Sequence, residues 1–418
     1  MTNTWTARHG LLHEREFAEQ AGTHTASIAD EDVDYQRIGI ERGEVAVWED
    51  GARTDGRRGT YEWWYFDAHL DGGAKLVVIF MTKDLAAPNK PLSPMIRMNL
   101  DLPDGRSYDL IREHPAEAFS AATDQADVRI AGNRFEGRLS RYDIHVEIDD
   151  VRVDVTLEAE IKPWRPHTGY LVFGAERDLE FSWLPAVPQG TVTGSYDVAG
   201  LRTEVTGVGY HDHNWGNVAM TSIIHDWYWA RGQAGPYSVI TSQITSHRRY
   251  GYEPIPIFML ARNGQIVADD ASSVSFRATD VDTDTATGKP VAGVTEYVHD
   301  DGTDRYVVTF TKRQALVANT FIEEMRGWRK WAARLVRFDG AYLRFIGDLR
   351  IARWRGSELV EVFSDEAIWE LMYFGHARGV DGAQAPLSQF SRSTASTRAP
   401  GWSSSSTSAE KSSSSPRQ

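Results

Sequence analysis

Residues 204–217 read EVTGVGYHDHNWGN and place His211, Asp212, His213, Asn214 and Trp215 in consecutive positions. Polar groups at this density support three chemistries. His-x-His on an extended chain points two imidazoles the same way, so His211 and His213, with His225 as a third nitrogen, form a candidate metal set. As turn residues, Asp212 and Asn214 would satisfy backbone groups and nothing more. In an apolar setting, Asp212 becomes an acid that burial keeps protonated, with His213 beside it to hand on the proton. Gly207, Gly209 and Gly216 bracket the cluster and predict a sharp bend or a close backbone approach. In regular strand geometry Asp212 and Asn214 face away from His211, His213 and Trp215. A bend is therefore expected to decide which of them share a cavity.

A second stretch, GTYEWWYFDAHL at residues 59–70, sets Tyr61, Trp63, Trp64, Tyr65 and Phe66 between Glu62 and Asp67. On a strand, Glu62, Trp64 and Phe66 take one face, and Tyr61, Trp63, Tyr65 and Asp67 the other. Both faces are aromatic, so the strand is expected to be buried on both sides. It has an echo in DWYWARGQAGPYSVITSQIT, which begins at Asp226, an offset of 164 residues from Glu62. Trp63 then matches Trp227, Trp64 matches Tyr228, Tyr65 matches Trp229, and Asp67 falls in register with Arg231. Most of these rings are expected to be core; Glu62 is the second candidate acid, and Trp63, Trp64, Tyr65, Tyr210, His211, Asn214, Trp215, Trp227 and Trp229 are candidate substrate contacts.

The elements that must position these residues read as strands. AKLVVIFMTK, YDIHVEID, VRVDVTLEAEI, YSVITSQIT and AYLRFIGDLRIARW are β-branched or aromatic runs, several alternating, separated by turn signals such as LDGG and LPDG. The expected class is all-β: two similar units, 41–217 and 218–378, after a polar and loosely ordered N-terminal segment, 1–40. Residues 379–418 end in a Ser-rich run that cannot bury a core and is expected to be disordered. Helical periodicity is confined to 323–338, a basic segment carrying Trp328 and Trp331. It is read as a helix or crossover packed on a barrel end, with peripheral membrane contact as the alternative.

Composition narrows the partners. The 418-residue chain carries a formal charge of −14 and a pI near 5.4, the opposite of a nucleic-acid-binding surface. It has no cysteine, which removes disulfides and thiolate ligands. The N-terminus lacks the apolar run of a signal peptide, and no run of about 18 apolar residues is present. A cytoplasmic location is the resulting expectation; the oligomeric state is not legible.

YEWWYFDAHL, GVGYHDHNWG and HDWYWARG, in this order and spacing, resemble the hydroxyneurosporene synthase (carotenoid 1,2-hydratase) and AttH-like family, which includes hydratases and Diels–Alder-type cyclases. The resemblance spans roughly residues 45–378. It implies tandem lipocalin-like β-barrels packed together, a mostly apolar pocket, and no organic cofactor or metal. YSVITSQI carries no acid where a carotenoid hydratase is expected to have an Asp. The chemistry that suits these residues is protonation of an alkene in a hydrophobic polyene or isoprenoid, with Trp and Tyr faces stabilising the cation by roughly 0.5–2 kcal/mol each. Water attack then makes a hydratase and internal attack a cyclase. A pericyclic cyclase needs only a wall that folds the polyene. A carrier of a hydrophobic ligand is the non-enzymatic reading.

Overall fold

The computed structural model describes residues 25–85, 87–324 and 339–378. Alternating apolar positions along the runs above become strands whose inner residues are buried, as in Met95–Asp101 and Arg141–Ile148, where every second residue is enclosed. The strands form two antiparallel sheets, of thirteen and nine strands among the described residues. Each is curled around its own apolar core, and a third cluster of buried side chains lies between them.

The two sheets repeat one plan. At the centre of the first, Tyr61–Leu70 pairs with Leu201–Gly216. Lys75–Met81, Met95–Asp101 and Ser107–Glu113 follow on one side; Leu179–Val198, Val151–Ala159 and Arg141–Ile148 follow on the other. At the centre of the second, Ile224–Ala234 pairs with Glu358–Tyr373. It is flanked by Tyr237–Ser246 and Pro254–Arg262 on one side and by Ala341–Arg355 and Asp304–Thr320 on the other. In both, the aromatic strand is the earliest in the chain of the curled main path and pairs with the last strand of that path. The echo in the sequence is thus an echo in topology.

The expected bend at 207–216 is absent. Gly207 to Gly216 stay in continuous register with Leu70 to Tyr61. The glycines serve close approach instead. A Cβ at Gly207 would lie 2.3 Å from the His69 carbonyl oxygen, one at Gly209 2.5 Å from Val192 Cγ2, and one at Gly216 2.4 Å from the Tyr61 hydroxyl. The irregularity falls on the neighbouring strand, whose register against 201–216 shifts between Leu184 and Gly190. Pro185 and Pro188 sit there, and a proline has no N–H to give the ladder.

Two further expectations change. The N-terminal segment is not loose throughout. Ala26–Ile28 pairs with Tyr170–Phe173, and the helix Asp32–Ile38, closed by Gly39 at φ 80°, is held by Arg177 on Asp34 at 2.7 Å. A helical turn, Phe321–Glu324, leads into the basic segment; residues 325–338, like residues 1–24 and the Ser-rich tail, lie outside the described residues. No helix among the described residues is long and apolar enough to cross a membrane.

Candidate functional site

Because 201–216 remains a regular strand, its polar cluster divides between two environments. His211 and His213 point into the core of the first sheet; Tyr210, Asp212 and Asn214 point at the second sheet. Asp212 and His213 therefore stand on opposite faces, and the expected proton hand-over between neighbours has no path through adjacent side chains.

On the inner face the short 3-10 helix Val47–Asp50 brings Asp50 between the two imidazoles. His211 Nε2 lies 3.1 Å from Asp50 Oδ2, and His213 Nδ1 lies 3.4 Å from Asp50 Oδ1. His213 Nε2 meets Glu62 Oε1 at 2.8 Å. Glu62 is also the acceptor of the Arg53 and Thr54 amides at 2.6 and 2.9 Å and of the Thr54 hydroxyl at 2.8 Å. Tyr142 donates its hydroxyl to Asp50 at 2.5 Å, and the Trp64 indole donates to the Asp50 carbonyl at 3.1 Å while its ring stacks on His213 at 4.6 Å. His211 Nδ1 faces the Tyr65 carbonyl at 2.8 Å, an acceptor only, so that nitrogen carries the hydrogen. Burial pulls the His211 pKa down, but the charge and hydrogen bond of Asp50 outweigh it and leave it raised above 6.5. Glu62, His211 and His213 have zero exposure. This chain of carboxylates and imidazoles ties the aromatic strand, the closing strand and the 3-10 helix together; substrate would have to open the barrel to touch it.

The outer face is aromatic. Tyr61, Trp63, Phe181 and Trp227 follow one another at centroid distances of 5.9, 6.0 and 6.1 Å, with interplanar angles of 22°, 22° and 19°, so the stack crosses from the first sheet to the second. Tyr65 and Trp229 both lie against Tyr210, at 6.2 and 5.7 Å. Asp212 is set into this wall. Its Oδ2 accepts from the Trp183 indole at 2.9 Å and from the Tyr210 hydroxyl at 2.7 Å, and its Oδ1 pairs with the Asn214 amide at 2.7 Å. Burial pushes the Asp212 carboxyl up, against the opposing pull of these donors and of His211. Turned over, the Asn214 amide presents its oxygen, so the same cradle holds a protonated acid. Asp67 and Arg231, equivalent positions in the two copies, form an ion pair across the interface, Nε to Oδ2 at 3.2 Å.

The metal set does not assemble. His225 opens the second sheet, where Asp226 and the His376 carbonyl engage its two nitrogens, and among the described residues no three His, Asp or Glu side chains converge as ligands. Trp215 is buried against His213 and Tyr170 on the inner side. Asp50, Trp183 and Tyr142 escaped sequence reasoning. Asp50 is half of an ordinary acidic pair, Glu49–Asp50, and Trp183 sits in an apolar run, and only the fold brings them to 211–213.

A family model described as Diels-Alderase-like matches residues 136–321. The chain is 28% identical over 205 residues to a hydroxyneurosporene dehydrogenase of Chlorobaculum tepidum, covering 41% of this chain and 53% of that protein. It is 26% identical over 194 residues to a quinolone epoxide rearrangement protein of Emericella nidulans, covering 43% and 53%. The crystal structure of CghA with Sch210972 superimposes with a TM-score of 0.53 at 14% identity, over 85% of this chain and 100% of that one. A putative AttH from Nitrosomonas europaea gives 0.51 at 16% identity, over 78% and 95%. The chain resembles the hydroxyneurosporene synthase and AttH-like lipocalin-like family. Its alignments span about half the length of these curated relatives, and the superpositions support a shared lipocalin-like fold of two curled sheets.

Proposed function

We propose that the protein is an enzyme that protonates and then hydrates or cyclises a hydrophobic unsaturated small molecule at the aromatic seam between its two sheets. The observation that carries this reading is Asp212, a carboxyl pushed up by burial and set among Trp183, Tyr210 and Asn214 in an aromatic wall. An alkene is too weak a base for an ionised carboxylate to help it; a buried neutral acid supplies the proton, and ring faces stabilise the cation without trapping it as a covalent adduct. The relatives' names, an epoxide rearrangement protein and a Diels-Alderase, belong to the same broad chemistry of unsaturated metabolites.

A second reading is pericyclic cyclisation, favoured by the near-parallel Trp63–Phe181–Trp227 stack as a template for a folded polyene. Incubating the purified protein in D₂O with acyclic terpenoid and polyene acceptors, farnesol and all-trans-retinol among them, separates the readings. Proton-initiated chemistry carries solvent deuterium into the product and is impaired in Asp212→Asn. A product free of deuterium and formed equally by Asp212→Asn establishes the pericyclic route. Acceptors bound and returned unchanged establish a carrier.

A further inference from the structure

Asp212 itself does not line the cleft between the sheets. That cleft, about 240 Å³, opens beside it and is walled by Tyr65 from the first sheet and by Trp229, Arg231, Arg344 and Glu370 from the second. Glu370 is placed by register: on Glu358–Tyr373 it stands directly across from Trp229 on one neighbouring strand and Arg344 on the other. Cross-strand partners share a face, so all three look at the first sheet. Tyr342, two residues from Arg344 on that face, donates its hydroxyl to Glu370 Oε2 at 2.8 Å. Among the described residues the buried Trp227 indole N–H has no acceptor in hydrogen-bonding geometry, and its electrostatic partner is Glu370. Burial raises the Glu370 carboxyl, and the nearby charge of Asp212 raises it further, against the opposing pull of Tyr342, Arg344 and Trp227.

We infer that Glu370 is the carboxylic acid that meets the substrate, that the reacting double bond lies in the cleft between Glu370 and Trp229, and that Asp212 acts behind it from the facing sheet. The inference rests on the proposed acid chemistry and moves the proton donor across the seam. In the step itself the Glu370 O–H bond breaks as a C–H bond forms on the alkene. The carbocation sits against the Trp229 ring. Water adds through its oxygen and returns a proton to the Glu370 carboxylate, so alkene and water become an alcohol and the acid is restored. Asp212, carrying like charge when ionised, makes the second proton of the pair harder to lose, which holds the Glu370 proton to a pH above the ordinary carboxylate range.

The charged and titratable groups around Glu370 are Asp365 and Glu366 on its own strand, Tyr342, Arg344 and Arg231 on the neighbouring strands, and Tyr65, Asp67, His69 and Asp212 on the facing sheet. The test uses N,N-dimethyloctylamine, whose protonated nitrogen imitates the carbocation, with binding to the full chain followed by tryptophan fluorescence from pH 4 to 9. Wild-type affinity is expected to rise by about tenfold as Glu370 ionises, at a pH above the ordinary carboxylate range. Glu370→Gln flattens that rise, Tyr342→Phe moves its midpoint upward by removing a donor to the ionised form, and Asp212→Asn keeps a rise but shifts it downward. Melting curves confirm that each variant is folded. If Glu370→Gln keeps the rise and Asp212→Asn loses it, the assignment of Glu370 is overturned while acid chemistry at the seam stands. If the wild type shows no pH-dependent binding, the cleft is not a cation site and both fall.

Discussion

Asp212 and His211 are adjacent in sequence yet face different cores, and each titrates away from its ordinary value for a different reason. The folded protein holds the Asp212 proton more tightly than the unfolded chain does, so stability falls as pH rises from the ordinary value of 3.8 toward the raised one. His211 is raised as well. Its contribution is complete below 6.5 and is lost as pH climbs through the folded value. Two declines in melting temperature are therefore expected, one beginning above the ordinary carboxylate value, to which the raised Glu370 carboxyl also contributes, and one above 6.5. Asp212→Asn shrinks the first, and Asp50→Asn, which takes the charge from beside His211, removes the second. A single decline that both variants abolish would contradict the division into two faces. The alternation that separates these side chains was legible in the sequence; what stood in its way was the reading of Gly207, Gly209 and Gly216 as a bend.

At the level of elements, the closing strand works because nothing at its glycines protrudes. Gly207→Ala would drive a Cβ to 2.3 Å from the His69 carbonyl oxygen, where backbone and not a flexible side chain must yield. A loss of about 1–3 kcal/mol is expected in denaturant titration. Gly132→Ala, where nothing lies within 4 Å, should be neutral or slightly stabilising, and equal losses at both sites would refute the close-approach argument. Strand positions were readable because β-branched alternation is local information. The placement of Asp50 was not, because a 3-10 helix of four residues has no periodicity to detect, and its partner His211 lies 161 residues further on. Glu370 escaped for a related reason. In IWELMY it looks like the solvent side of an alternating strand, and only a second sheet laid over that face turns it inward.

For the whole molecule the seam decides stability. Asp67 and Arg231 are both largely buried, at 7% and 14% side-chain exposure, and a buried pair costs more to break than to replace. Asp67→Asn alone is expected to destabilise by about 3–5 kcal/mol, since it strands the guanidinium. The double variant Asp67→Leu/Arg231→Met should recover most of that loss, and a double-mutant cycle without coupling would show that the pair does not hold the sheets together. The duplication itself was visible in the sequence as matched aromatics. That matched positions would meet each other was not, because it depends on how two curled sheets pack.

That meeting carries a consequence for ancestry. If two identical chains once packed about a two-fold axis, position 67 of one would face position 67 of the other, and an aspartate there would repel its own copy. Joining the copies in one polypeptide lifts that constraint, since each half can then change independently. An acid on one side and a guanidinium on the other is a solution open only to the fused molecule, and so is a cleft lined by Glu370 of one sheet and backed by Asp212 of the other.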